Sequence, residues 1–106
     1  MNIEDLKSRV INALEDLKGK DIVTIDVKKL TSLTDVMIIC SGTSNRHVQA
    51  LAQNVITEIK KQGFKVLGVE GTQEGEWILI DLGDVIVHVM QVATREFYNL
   101  EKLWVL

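Results

Sequence analysis

Two stretches of this sequence carry residue types that do chemistry. The first is Ser41-Gly42-Thr43-Ser44-Asn45-Arg46, a glycine among hydroxyls that leads into a helical pattern. Backbone N–H groups at a helix N-terminus attract anions, and Arg46 adds positive charge, so this run has the makings of a phosphate cradle. It is not a P-loop, because no Gly-Lys-Ser/Thr follows. The plainer reading is a capped helix after a tight turn. A Gly-Thr-Ser entry can also open a nucleotidyltransferase site, but that chemistry holds two metal ions with paired acids, usually Asp-x-Asp on a neighbouring strand. The chain contains no Asp-x-Asp, and Glu74-x-Glu76 lies in a glycine-flanked turn. A nucleotide-binding or nucleotidyl-transferring role for residues 41–46 therefore stands as the alternative reading, a cradle without its metal site.

The second stretch reads as a β-hairpin, residues 76–81 and 84–90 joined around Leu82-Gly83. A two-residue turn there sets Asp81 opposite Asp84, Leu79 opposite Ile86, and Trp77 opposite His88, all on one side. The other side is Ile78, Ile80, Leu82, Val85, Val87 and Val89, wholly aliphatic and therefore core. The mixed side has two readings: either a helix covers it and Trp77 and His88 are satisfied core residues, or it is a surface that meets a partner. Opposed carboxylates at a hairpin tip repel, which makes sense if something positive arrives there. Asp81, Asp84 and His88 are suitable metal ligands by type, but Asp84 and His88 lie about 13 Å apart along one strand, too far for one ion. No metal and no cofactor is expected.

Nucleophilic catalysis finds no support. Cys40 ends a buried-looking strand, and neither Ser41 nor Ser44 has a recognisable base in a motif. His47, on the second helix, reads as a surface residue. The single cysteine fits a reducing compartment. The start of the chain lacks a secretory signal, and no apolar run reaches the roughly 18 residues of a membrane span, so a cytoplasmic location without membrane contact is expected.

These residues need a frame. The 106 residues, 46% hydrophobic and 25% charged, suit one globular domain, 1–106. Apolar residues at helical spacing predict a helix over 3–18 with Gly19 as its C-terminal cap. Strands follow at 22–27 and 36–40, then a helix capped by Thr43 or Ser44 and stopped by Gly63. A strand at 64–69 precedes the hairpin, and Thr94 caps a last helix on which Phe97, Leu100 and Trp104 share a face. The order α-β-β-α-β-β-β-α predicts a single α/β domain, a mixed five-stranded sheet flanked by helices. The helix between the second and third strands suggests a parallel right-handed crossover.

The net charge is −3, which argues against broad binding to phosphate backbones. Its distribution is more informative. Residues 66–94 contain no Lys or Arg but hold Glu70, Glu74, Glu76, Asp81 and Asp84. That segment carries −5, while the remainder sets 12 basic residues against 10 acidic ones. The pairs Lys28-Lys29 and Lys60-Lys61 suit a solvated face or a peripheral contact with RNA, not a nucleic-acid module.

Several motifs in order resemble one family. Asp21-Ile-Val, the strand ending Cys40-Ser-Gly-Thr-Ser, Val69-Glu-Gly, Glu76-Trp-Ile-Leu-Ile-Asp-Leu-Gly-Asp, Val87-His-Val and the closing Arg95-Glu-Phe-Tyr-Asn-Leu-Glu-Lys-Leu-Trp are similar to the ribosomal silencing factor family, also called Iojap-like or YbeB-like. The resemblance spans essentially the whole chain. It implies a nucleotidyltransferase-like fold without the catalytic acids, no enzymatic activity, and free homodimers. It further implies binding to the large ribosomal subunit through the protein uL-fourteen, sterically blocking subunit joining and lowering translation when nutrients are short. Carried over by motif, Trp77, Asp81, Asp84 and His88 are the contact candidates, with Leu79 and Ile86 between them and Glu74 and Glu76 assisting. Leu82 and Met90 depart from the aromatic residue and the Phe that many members carry, changes that bear on packing.

Overall fold

The computed structural model describes residues 2–103. Helix α1 (Ile3–Asp16) starts where the Asn2 side chain accepts the Asp5 N–H at 2.8 Å, and it buries Leu6, Val10, Ala13 and Leu14. It ends at Asp16, two residues short of the expected end at residue 18. Lys18, with φ +61°, takes the left-handed position, and Gly19 follows, donating its N–H to the Leu14 carbonyl. A Cβ on Gly19 would press on the Cys40 sulfur, so the glycine serves close approach to the sheet more than the turn itself. Helix α2 (Asn45–Lys61) is capped by Ser44, whose Oγ accepts the His47 N–H, and stops at left-handed Gly63 with Phe64 N–H bonded back to Ile59.

The strands are β1 (Lys20–Asp26), β2 (Val36–Gly42), β3 (Gly68–Glu70), β4 (Trp77–Asp81) and β5 (Val85–Gln91), in the spatial order β1-β2-β5-β4-β3. Only β2 and β5 pair in parallel; the other three pairings are antiparallel. The mixed sheet is as expected, but the crossover is not between neighbours: α2 carries the chain past β5 and β4 to β3 at the far edge. The expected strand over 64–69 shrinks to three residues. Phe64 and Val66 spend their apolar surface on the core beneath the helices, leaving only the end of the run to pair with β4.

The sheet has two unlike faces. Val36, Ile38 and Cys40 of β2, Ile78 and Ile80 of β4, and Val85, Val87 and Val89 of β5 point to α1 and α2 and form the large core. The opposite face holds a smaller cluster, Val27, Met37, Ile39 and Met90, flanked by half-buried Ile25, Trp77 and Leu100. Over it lie α3 (Val92–Tyr98) and the short α4 (Leu100–Leu103), separated by left-handed Asn99. The last helix thus departs from the sequence reading. It starts directly on leaving β5, so Gln91 occupies the cap position and Thr94 falls inside the first turn. The break at Asn99 turns Leu100 inward while Phe97 stays 82% exposed, so the two share no face. Trp104 lies outside the described residues.

Candidate functional site

The hairpin keeps its two-sidedness but not its expected pairing. Asp81 pairs with Ile86, Leu79 with His88, and Trp77 with Met90, two residues out of the expected register. The turn is therefore Gly83-Asp84, with Leu82 N–H bonded to the Val85 carbonyl at 2.9 Å. Gly83 has φ +88°, and a positive φ at the first central residue is what a type II′ hairpin turn demands of a glycine. A shift of two preserves parity, so Trp77, Leu79, Asp81, Ile86 and His88 still share the open face. The expected opposition of Asp81 and Asp84 does not occur. Asp81 turns its carboxylate to the Gly83 N–H at 2.9 Å, closing the turn, while Asp84 is exposed and its carbonyl accepts from Asp35 and Val36, tying the tip to the start of β2.

Trp77 and His88 differ in burial. His88 is 5% exposed and so is internal, not an outward contact. Trp77, diagonal to it, is half-buried and donates its indole N–H to His88 Nδ1 at 3.0 Å. An indole N–H can only donate, so Nδ1 is the bare nitrogen and the proton sits on Nε2. Burial pushes the His88 pKa down to about 4, which keeps the ring neutral. The indole also packs against Tyr98 of α3, with ring centroids 4.9 Å apart, and Tyr98 in turn meets Phe97 edge-on at 5.1 Å. Half-buried Leu79 and Ile86 extend the apolar strip towards the tip.

The acidic residues do not form one cluster. Glu74 and Glu76 are exposed in the loop before β4, which Gln49 of α2 grips by donating to the Thr72 and Gln73 carbonyls. The length of β4 separates that loop from Asp81, about 17 Å by strand rise. Glu70 was not among the contact candidates, yet β3 pairs it directly with Leu79, so it stands exposed on the open face beside the apolar strip. No local pattern could have revealed it; only the pairing of β3 with β4 does. Tyr98 was missed as a neighbour of Trp77 because that contact depends on where α3 starts.

Within the segment 41–46, Ser41, Thr43 and Ser44 make internal hydrogen bonds, while Arg46 is exposed. Ser41 is buried and its Oγ accepts from Arg95 Nη1 at 2.9 Å, while Arg95 Nε is paired with Glu101 at 2.7 Å. Thr43 N–H is donated to His47 Nδ1, and His47 Nε2–H bonds the Leu17 carbonyl at 2.8 Å, so His47 ties α2 to the end of α1 and is half-buried, not the surface residue expected. The cleft of about 420 Å³ beside Ser41 is lined by Asp21, Glu96, Glu101 and Arg95, and because Arg95 is already paired with Glu101 the unpaired charge there is acidic and disfavours phosphate. Cys40 is buried, which pushes its thiol up to about 11 and leaves it a poor nucleophile. Among the described residues, no three His, Cys, Asp or Glu side chains converge on a metal position, and no helix is long and apolar enough to cross a membrane.

Comparison with known proteins agrees with this fold. Residues 1–105 match the family model described as ribosomal silencing factor during starvation. The ribosomal silencing factor of Haemophilus influenzae is 55% identical over 95 residues, covering 90% of this chain and 93% of its own. A crystal structure of a Chromobacterium violaceum protein superposes with a TM-score of 0.97 at 50% identity, covering 98% of this chain and 87% of that one. A mouse protein named mitochondrial assembly of ribosomal large subunit protein 1 is 33% identical over 100 residues, 92% of this chain but 44% of its own length. The match runs from the first helix through the Ser41 segment, the hairpin and the Arg95 clamp, and on this ground the chain belongs to the ribosomal silencing factor family.

Proposed function

We infer that this protein is a non-enzymatic translation repressor that docks the open face of its hairpin on a basic protein of the large ribosomal subunit. In this reading the partner is uL-fourteen, the protein that the family resemblance implies. Occupation of the subunit's joining face then blocks the small subunit sterically. The observation that carries this reading is the strip of half-buried Trp77, Leu79 and Ile86, bordered by Asp81, Asp84 and Glu70 in a segment without any Lys or Arg. Half-exposed aromatic and aliphatic side chains supply contact area, and surrounding carboxylates select a positive partner. Ribosomal proteins neutralise RNA and are usually basic, so they fit this pattern. The mouse relative's name points to the same subunit. Engagement of Ser41, Thr43 and Ser44 in a cap and internal bonds favours binding over nucleotide chemistry. The whole chain, 1–106, acts as one unit in this reading, in the cytoplasm, as a homodimer when free, with ribosomal RNA at most a peripheral contact.

Co-sedimentation with purified large subunits tests the proposal. Trp77→Ala is expected to weaken binding by about thirtyfold, equivalent to roughly 2 kcal/mol, while circular dichroism reports a folded variant. Undiminished binding by that folded variant would remove the hairpin face as the docking surface.

A further inference from the structure

Among the described residues, His88 is a buried polar group on the open face that stands apart from the bonded Ser41–Arg95 pair. It stands in β5 between Ile86 and Met90, opposite Leu79, with the second hydrophobic cluster on one side of it. A leucine or isoleucine there would fill the space without the desolvation that an imidazole brings, and burying a polar ring is unfavourable unless its hydrogen bonds are made. Among the described residues, it accepts a hydrogen bond from the Trp77 indole N–H at 3.0 Å, with the two rings tilted 52° and centroids 5.8 Å apart. Tyr98 closes the other side of the indole at 4.9 Å. Trp77 is thereby held at three points: by its own strand, by His88 through the ring nitrogen, and by an aromatic ring of α3.

From this we propose that His88 is a positioning residue for docking: its Nδ1 fixes the rotamer of Trp77 so that the exposed part of the indole is set on the open face before a partner arrives. This rests on the docking reading above and deepens it. A free indole would sample several rotamers and lose that freedom on binding, so a fixed one binds more tightly for the same contacts. His88 touches no partner in this account. Neutrality is part of the device, since a ring protonated at both nitrogens would present a second N–H to the indole N–H. The low pKa that burial gives it agrees with that role.

The test compares His88→Leu, which fills the space without an acceptor, with His88→Asn, whose amide oxygen can stand near the position of Nδ1. The Trp77 indole N–H is followed by proton–nitrogen correlation spectra, with the Trp104 signal assigned through Trp104→Phe. In the intact protein the Trp77 indole proton is expected to exchange slowly with solvent. His88→Leu is expected to move that resonance and speed its exchange, and to weaken large-subunit binding about tenfold, the loss of roughly one hydrogen bond's worth of ordering. His88→Asn is expected to restore both. An unchanged indole resonance in His88→Leu, or a changed one with undiminished binding, overturns the proposal. Should His88→Leu fail to fold, fast indole exchange in the intact protein overturns it alone, as does His88→Asn that folds, keeps the bond and binds no better than Trp77→Ala. If the intact protein does not bind large subunits at all, the docking reading itself fails, and the exchange measurement still separates that failure from the absence of the hydrogen bond.

Discussion

The two faces of this sheet are built from the same strands, residue alternating with residue, yet they serve different ends. The helix-covered face is closed: Ile38, Ile80, Val85, Val87 and Val89 are fully shielded, with α1 and α2 laid across them. The other face has four buried apolar residues at its centre and is closed only near α3. Towards the hairpin tip it is half-open, and there the side chains change from purely aliphatic to Trp77, Leu79, Asp81 and Ile86 with Glu70 at the edge. A strand therefore records two constraints at once. Even-numbered β4 positions answer to packing, and odd-numbered ones answer to whatever meets the surface.

The sharpest way to break this division is a pair of adjacent substitutions. Ile80→Ala removes a fully buried side chain and is expected to cost about 3 kcal/mol of stability, read as a lower denaturant midpoint, with binding by the remaining folded protein unchanged. Leu79→Ala, the next residue along, is expected to cost about 1 kcal/mol or less, since its side chain is already half in water, while large-subunit binding falls severalfold. Equal destabilisation by the two would mean that the open face is core, and the comparison would fail.

That division was legible in the sequence because side-chain alternation needs no knowledge of register. The wholly aliphatic set Ile78 to Val89 told which side was closed, and an error of two residues in the pairing left every member on its proper side. What alternation cannot supply is which strand lies beside which. Placing β3 at the far edge, with Glu70 against Leu79, depends on β5 inserting between β2 and β4, a long-range choice with no local signal. The caps show a similar limit. Ser44 and Gly63 followed their usual chemistry, but Lys18 adopted the left-handed turn expected of Gly19 because the glycine was needed one residue on, against Cys40. Tyr98 reached Trp77 only through the start of α3 at Val92, earlier than Thr94 suggested.

Acid separates the faces next. On the closed side the buried titratable group is Cys40, a thiol pushed up to about 11 that stays neutral at ordinary pH. On the open side it is His88, pushed down to about 4 from 6.5. Between those two values the unfolded chain holds a proton that the folded one does not. The folded state is therefore favoured in full above pH about 6.5 and loses stability as pH falls towards 4, by on the order of 3 kcal/mol over that range. The informative quantity is the difference between the intact protein and His88→Asn in urea unfolding across pH 7 to 4. The variant is expected to show the shallower decline. Parallel declines would mean that His88 does not bury a neutral ring, and would weaken the account of Trp77's anchoring.

The smallest expected effect concerns charge, and it bears on how far the open face extends. Asp84 is exposed at the tip and its backbone, not its carboxylate, holds the turn to β2, so Asp84→Lys reverses a charge without dismantling the hairpin. Asp81 is a poorer probe, because its carboxylate closes the turn at Gly83. Glu74 lies on the loop held by Gln49, beyond the other end of β4. If docking is confined to the open face, Asp84→Lys weakens binding about fivefold at low salt, near 1 kcal/mol, with the loss shrinking as salt rises, and Glu74→Lys has a smaller effect. The measurement is the association rate with large subunits by stopped-flow mixing over a salt series. Equal slowing by both variants would show that the whole acidic segment attracts the partner at a distance. The boundary drawn between tip and loop would then describe packing within the protein but not its electrostatic reach, and Glu74 and Glu76 would belong to encounter even though they stand apart from contact.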